Sequence, residues 1–95
     1  MSRFLVVTIR SIAEGRAADY DRTWARLGVA VEHAGGRAWR FRSPQAAGRH
    51  IEFIEWTQAP EAPALTQRIP VQTAMSALDR NFGTGSREIW EEAQP

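Results

Sequence analysis

Trp56, His50, Arg40 and Arg10 are the residues of this 95-residue chain whose types and spacing could do chemistry on a small molecule. Trp56 could form a pocket wall that stacks on a planar aromatic substrate, or it could be a core tryptophan closing a strand–helix junction. By the two-residue period of a strand, His50 shares a side with Glu52 and Trp56. Its imidazole could serve as a general base near neutral pH, or sit beside a turn, partly exposed and inert. Arg40 and Arg42 share one face of a strand that forms a hairpin with the next, near Glu52 and His50. That placement suits a cross-strand ion pair. It also suits a clamp for a carboxylate or phenolate, to which guanidinium is well matched. Arg10, at the end of the first strand, offers the same two roles. Tyr20 and Trp24 lie four residues apart on one helical stripe; they are core residues that would also line any pocket between helix and sheet. His33 falls in the last turn of the same helix, where a cation complements the helix dipole, and that role fits it better than catalysis.

Several classes of chemistry are not represented. There is no cysteine, so disulfides, thiolate metal sites and Cys nucleophiles are excluded. No phosphate-binding loop or Ser-His-Asp set stands out, and the two histidines have no closely spaced third ligand. No cofactor and no metal site is expected. All 12 basic residues are arginine, but they are scattered along the chain and offset by 11 acids. A nucleic-acid binder would gather them on one face, so none is expected. No apolar run approaches the ~20 residues needed to span a bilayer. The N-terminus runs into a strand without the pattern of a signal peptide, and a cytoplasmic location is the expectation.

The elements that must position these residues are readable from periodicity. One domain over residues 1–95 is expected, and a chain this short buries only about 60–65% of its unfolded surface. A first strand covers roughly 3–11 and a helix roughly 14–34, its stripe reading Ala17, Tyr20, Trp24, Leu27, Val31 and Ala34. Gly35-Gly36 ends that helix. A second strand spans roughly 37–42 and a third roughly 50–56, separated by the turn Ser43-Pro44-Gln45-Ala46-Ala47-Gly48. Ala59-Pro60-Glu61-Ala62-Pro63 leads into a second helix that runs to about Phe82. Its buried side is read as Leu65, Ile69, Met75, Leu78 and Phe82, with a kink or break near Ile69 caused by Pro70. A fourth strand covers roughly 86–92.

This order, β-α-β-β-α-β, predicts an α+β ferredoxin-like sandwich: a four-stranded antiparallel sheet with two helices on one face, strands one and three central. Arginines on strand two and glutamates on strand four protect the edges. The two central strands are apolar on both faces, Phe4 and Val6 against Leu5, Val7 and Ile9. The helices cover one face. A two-fold homodimer is the simplest cover for the other, with strand two of one chain brought near strand four of its partner.

At this point the chain resembles the dimeric α/β-barrel superfamily, in particular its antibiotic-biosynthesis-monooxygenase-like group. The resemblance rests on Gly15 leading into helix one, the Arg42-Ser43-Pro44 turn, Glu55-Trp56 ending strand three, and a following helix with Ala64-Leu65. It implies a dimeric barrel and an activity among cofactor-independent oxygenases of aromatic polyketides, haem-degrading monooxygenases, or relatives without known activity. In the haem-degrading branch a tryptophan at the Trp56 position lines the pocket. That branch also uses a helix-two histidine, where this chain has Thr66, Gln67 and Arg68, and a strand-one asparagine, where it has Thr8 and Arg10. Haem degradation is therefore not expected.

Two functions follow as expectations. One is a small monooxygenase-like protein acting on or binding an aromatic metabolite without a metal. Trp56, His50, Arg10 and Arg40 are its catalytic candidates, and Trp56, Tyr20 and Trp24 its ligand-binding ones. The other is a non-catalytic dimeric module that binds a ligand or a partner enzyme.

Overall fold

The computed structural model describes residues 1–93. Its elements follow the expected order: β1 (Ser2–Ser11), α1 (Ala17–His33), β2 (Arg37–Arg42), β3 (Arg49–Gln58), a 3₁₀ turn (Leu65–Gln67), α2 (Ile69–Phe82) and β4 (Ser86–Glu91). The strands form one antiparallel sheet in the order β2-β3-β1-β4, with β1 and β3 central. Phe4, Val6, Thr8 and Arg10 of β1 face the same way as Trp56, Ile54, Glu52 and His50 of β3, which are their register partners. That face carries the helices, and its central residues are buried. The core joins Val6, Ile54 and Trp56 to Tyr20, Leu27 and Val31 of α1 and to Val71 and Leu78 of α2.

The α1 stripe is buried at Tyr20, Leu27 and Val31 and half-buried at Trp24, whereas Asp19, Arg22 and Arg26 are exposed, as a 3.6-residue period requires. Gly35, at φ 91°, takes the left-handed conformation that lets the chain leave the helix.

Three details correct the sequence reading. The second helix is not one kinked run. Proline has no N–H to donate and is best placed in the first turn, so Pro70 opens α2, and the residues before it form a separate 3₁₀ turn. Shifting the helix start turns Ile69 outward to 76% exposure and puts Val71 in the core. Finally, Arg40 pairs in register with Glu52 and Arg42 with His50, on the helix-bearing side. Their side chains therefore point away from the uncovered face, which Arg37 shares with Glu55.

That opposite face is apolar and aromatic. Leu5, Val7 and Ile9 run down its centre, Trp39 stacks on Phe53 at 5.2 Å, and Phe41 meets Phe53 edge-on at 6.1 Å. Phe41 and Trp90 remain 62% and 56% exposed.

Candidate functional site

Between the sheet and the helices lies a chain of alternating charges, buried at Arg10 and Glu52 and partly exposed at Asp79 and Arg87. Arg10, 1% exposed, grips Glu52 with two parallel bonds, Nε to Oε2 at 2.8 Å and Nη2 to Oε1 at 2.9 Å. Tyr20 donates its hydroxyl to Glu52 Oε2 at 2.6 Å. On its other side Arg10 Nη1 donates to Asp79 Oδ1 at 3.1 Å and to the carbonyl of Gly83. Asp79 accepts two bonds from Arg87, at 2.7 and 2.9 Å, and one from Thr84 at 2.8 Å; Arg87 in turn donates to Thr8 at 3.0 Å. Five elements and the α2–β4 loop contribute, so the network ties β1, β3 and β4 to both helices.

The titrations follow from these contacts. Burial works against the charge on Arg10, but Glu52 and Asp79 outweigh it and raise its pKa. Burial also opposes ionisation of Asp79; bonds from Arg87, Thr84 and Arg10 overcome it and hold the carboxyl at about 2. Burial, reinforced by Glu52, pushes the Tyr20 phenol well above its ordinary range. Tyr20 is thus a neutral donor committed to Glu52, not a base.

Beside this network a cleft of about 620 Å³ opens between the β1–α1 loop and the β2–β3 turn. Tyr20 and His50 form its aromatic wall, their rings in edge contact at 4.8 Å. Asp21, Glu14 and Arg42 supply charge around it. Its two loop walls are pinned together where Ile12 N–H donates to the Gly48 carbonyl at 2.7 Å. Gly48 sits at φ 79°, and a Cβ there would run into the Ile12 carbonyl oxygen, so only glycine fits the closure.

His50 is pushed below its ordinary pKa by burial and then by Arg40, against a smaller pull from Glu52. It is therefore mostly neutral at neutral pH. Arg40 lies over the Tyr20 ring at 4.8 Å and the Trp24 ring at 5.6 Å, and its Nη2 donates to Asp21 Oδ1 at 2.7 Å. The expected cross-strand pair between Arg40 and Glu52 does not form, because Glu52 is taken by Arg10 and Tyr20.

The candidates therefore separate into two groups. Tyr20 and His50 line the cleft, while Arg40 lies over the Tyr20 and Trp24 rings outside the cleft lining. Trp56 lies in the core, 5% exposed, stacked on Phe4 at 5.6 Å with its indole N–H donated to Gln58 at 2.7 Å. Arg10 belongs to the buried network. Glu52, Asp79 and Arg87 were not singled out for that network from sequence; the one available signal was a run of charged residues at apolar-face positions of strands, Arg10 and Glu52 among them.

No protein-family model and no curated protein matches the chain. Solved structures do. An inferred antibiotic biosynthesis monooxygenase from Bordetella bronchiseptica superposes with a TM-score of 0.70 at 16% identity, over 100% of this chain and 99% of that one. SnoaB, a cofactor-independent oxygenase from Streptomyces nogalater, superposes with a TM-score of 0.71 at 13% identity, over 100% of this chain and 95% of that one. The chain has the antibiotic biosynthesis monooxygenase fold. A de novo designed protein, Ferredog-Diesel, matches less well, at a TM-score of 0.56. At these identities the likeness is one of fold. Within the antibiotic biosynthesis monooxygenase fold, this chain places its cleft where the helix layer meets the ends of β1 and β3.

Proposed function

We propose that the protein is a homodimeric, monooxygenase-like protein that binds an aromatic metabolite in the Tyr20–His50 cleft and oxygenates it without a metal. The observation that carries this reading is the cleft itself: about 620 Å³, walled by two aromatic rings, with a mostly neutral histidine beside cationic Arg40. A volume of this order suits a small planar ligand. The fold shared with a cofactor-independent oxygenase supports the reaction class.

In such a reaction the substrate supplies the electrons. An activated CH₂ between aromatic rings loses a proton, the carbanion is oxidised by O₂, and one oxygen atom becomes the carbonyl while the other leaves as water. The protein must hold the ring, take the proton and stabilise the anion. His50 has the free basicity for the second task. Arg42, on the cleft lining, supplies positive charge for the third. Tyr20 contributes its ring.

The test is oxygen uptake by the purified protein with an anthrone as substrate and a chelator present. Uptake that falls at least tenfold in His50→Gln supports the reading. No uptake with any activated aromatic substrate would overturn it. Binding without turnover is the second reading, favoured by the commitment of Arg10 and Trp56 to the core; it predicts ligand affinity with no oxygen consumption.

For self-association, the support is the uncovered apolar face with Leu5, Val7, Phe53 and Trp90. No helix among the described residues is long and apolar enough to cross a membrane.

A further inference from the structure

The uncovered face of the sheet differs between its two halves. On the β2–β3 half stands a ridge of rings: Trp39 lies flat on Phe53 at 5.2 Å, and Phe41 meets Phe53 edge-on at 6.1 Å. On the β1–β4 half an open groove of about 450 Å³ runs along Leu5, Val7 and Ile9, walled by Ser86, Glu88 and Trp90. Ridge and groove lie at the same height. Register aligns Trp39 and Phe53 with Val7 and Glu88, and Phe41 and Ile51 with Ile9 and Ser86. The charges divide in the same way. Arg37 stands at the end of the ridge, over the Trp39 ring at 5.6 Å, its contact with Glu55 a loose 4.0 Å. Glu88 stands in the groove and takes no part in the Arg3–Glu55–Arg37 pairs of this face.

We infer that a second copy of the chain covers this face with the two-fold axis running along the strands, so that Trp39 and Phe41 of each protomer fill the groove of the other. This rests on the homodimer reading, and it names which halves of the face meet. Sheets packed face to face keep their strands within about 30° of one another, at a spacing of about 10 Å. A two-fold axis between them then runs either along the strands or across them. Along the strands, it exchanges the halves. Strand β2 lies over β4 of its partner, the ridge enters the groove, and Glu88 comes opposite the Trp39 indole N–H, with Arg37 one step along the same strand. Across the strands, each strand lies over its own copy. Ridge then meets ridge, and the two grooves face each other unfilled, with a Glu88 in each. Unfilled apolar space forfeits packing, and like charges brought together across an interface oppose association. The first arrangement carries neither cost, and two-fold symmetry makes its Glu88 contact twice.

The chain has no cysteine, so introduced ones are the only thiols. Phe41→Cys and Ser86→Cys, which share a register row, are expressed separately and together. Each preparation is treated with a bismaleimide shorter than the roughly 14 Å that separates edge strands three spacings apart. The mixed pair is expected to cross-link, and neither variant is expected to cross-link with itself. Links of like with like would overturn the proposal in favour of the crosswise axis. So would the absence of any link while light scattering shows a dimer, which moves the interface off this face. Charge supplies a second measurement that leaves the ridge intact. Glu88→Arg should weaken the dimer at least threefold by sedimentation, and adding Arg37→Glu in the same chain should recover at least half of that loss. A double variant no tighter than Glu88→Arg alone also overturns the proposal. A wild type that stays monomeric would remove the homodimer reading and this one together, whereas a dimer with like-to-like links sinks only this one.

Discussion

Tyr20 and Glu52, 32 residues apart in the chain, are joined by a 2.6 Å hydrogen bond inside the protein. The phenol lies on the helix and the carboxylate on the central strand β3, so this bond ties α1 to the sheet alongside the packing of Leu27 and Val31. The whole side chain is buried, its hydroxyl on Glu52 and its ring held among Arg40, His50 and Phe82.

Tyr20→Phe removes one of the three donors to a buried carboxylate, the other two being Arg10 Nε and Nη2. Loss of about 1–3 kcal/mol of stability is expected. The ring wall survives, so affinity for an aromatic ligand should change by less than threefold. Urea unfolding and calorimetric titration of the same variant separate the two roles; a stable variant that no longer binds would place the hydroxyl in the ligand site.

Asp79 titrates at about 2 in the folded protein, below its ordinary 3.8. A depressed carboxylate contributes stability that is complete above its unfolded value and is lost as pH falls through the folded one. Unfolding midpoints should therefore drop between about pH 4 and about pH 2. Asp79→Asn should be less stable at pH 7 and should show a flatter profile across that window. The carboxylate is partly exposed, so the effect is smaller than for a fully buried pair. An unchanged slope in the variant would show that other carboxylates carry the acid sensitivity.

The sheet face opposite the helices sets the third expectation. Leu5→Asp with Val7→Asp places two charges on it without touching the core, because both side chains face away from the helices. Light scattering at micromolar concentration should show a dimer for the wild type and a folded monomer for the double variant. Val6→Asp, on the helix side and 3% exposed, should instead unfold the chain. A wild type that runs as a monomer would end the dimer reading.

Trp56→Ala should cost about 3–5 kcal/mol, as expected for a buried indole stacked on another ring. Trp56→Phe should keep most of that stability. Thermal melts of the pair measure this directly, and similar melting temperatures for both variants would contradict the core placement.

The sheet order and the helix-one stripe were legible because both are matters of period: alternation along β1 and β3, and steps of three and four from Tyr20 to Val31. Helix two was less so. Pro70 can break a helix or begin one, and apolar residues on both sides of it hid the choice. Choosing the break put Ile69 inside, where the structure has Val71. The site was only partly legible for a different reason. The residues that decide what Glu52 does are Arg10 and Tyr20, brought from 42 and 32 residues away. From sequence, the register neighbour Arg40 was the nearer partner. Long-range competition for one carboxylate leaves no local pattern.

The buried network also bears on the cleft beside it. Glu52, Arg10, Asp79 and Arg87 succeed one another with signs minus, plus, minus, plus, so the series closes with no net charge. Seen from the cleft, adjacent members cancel, and the field of such a row fades much faster with distance than that of a lone ion. The potential inside the cleft is then governed by the charges that line it, Glu14, Asp21 and Arg42. Exchanging one of those changes the charge of the cleft and leaves the wiring of the interior untouched.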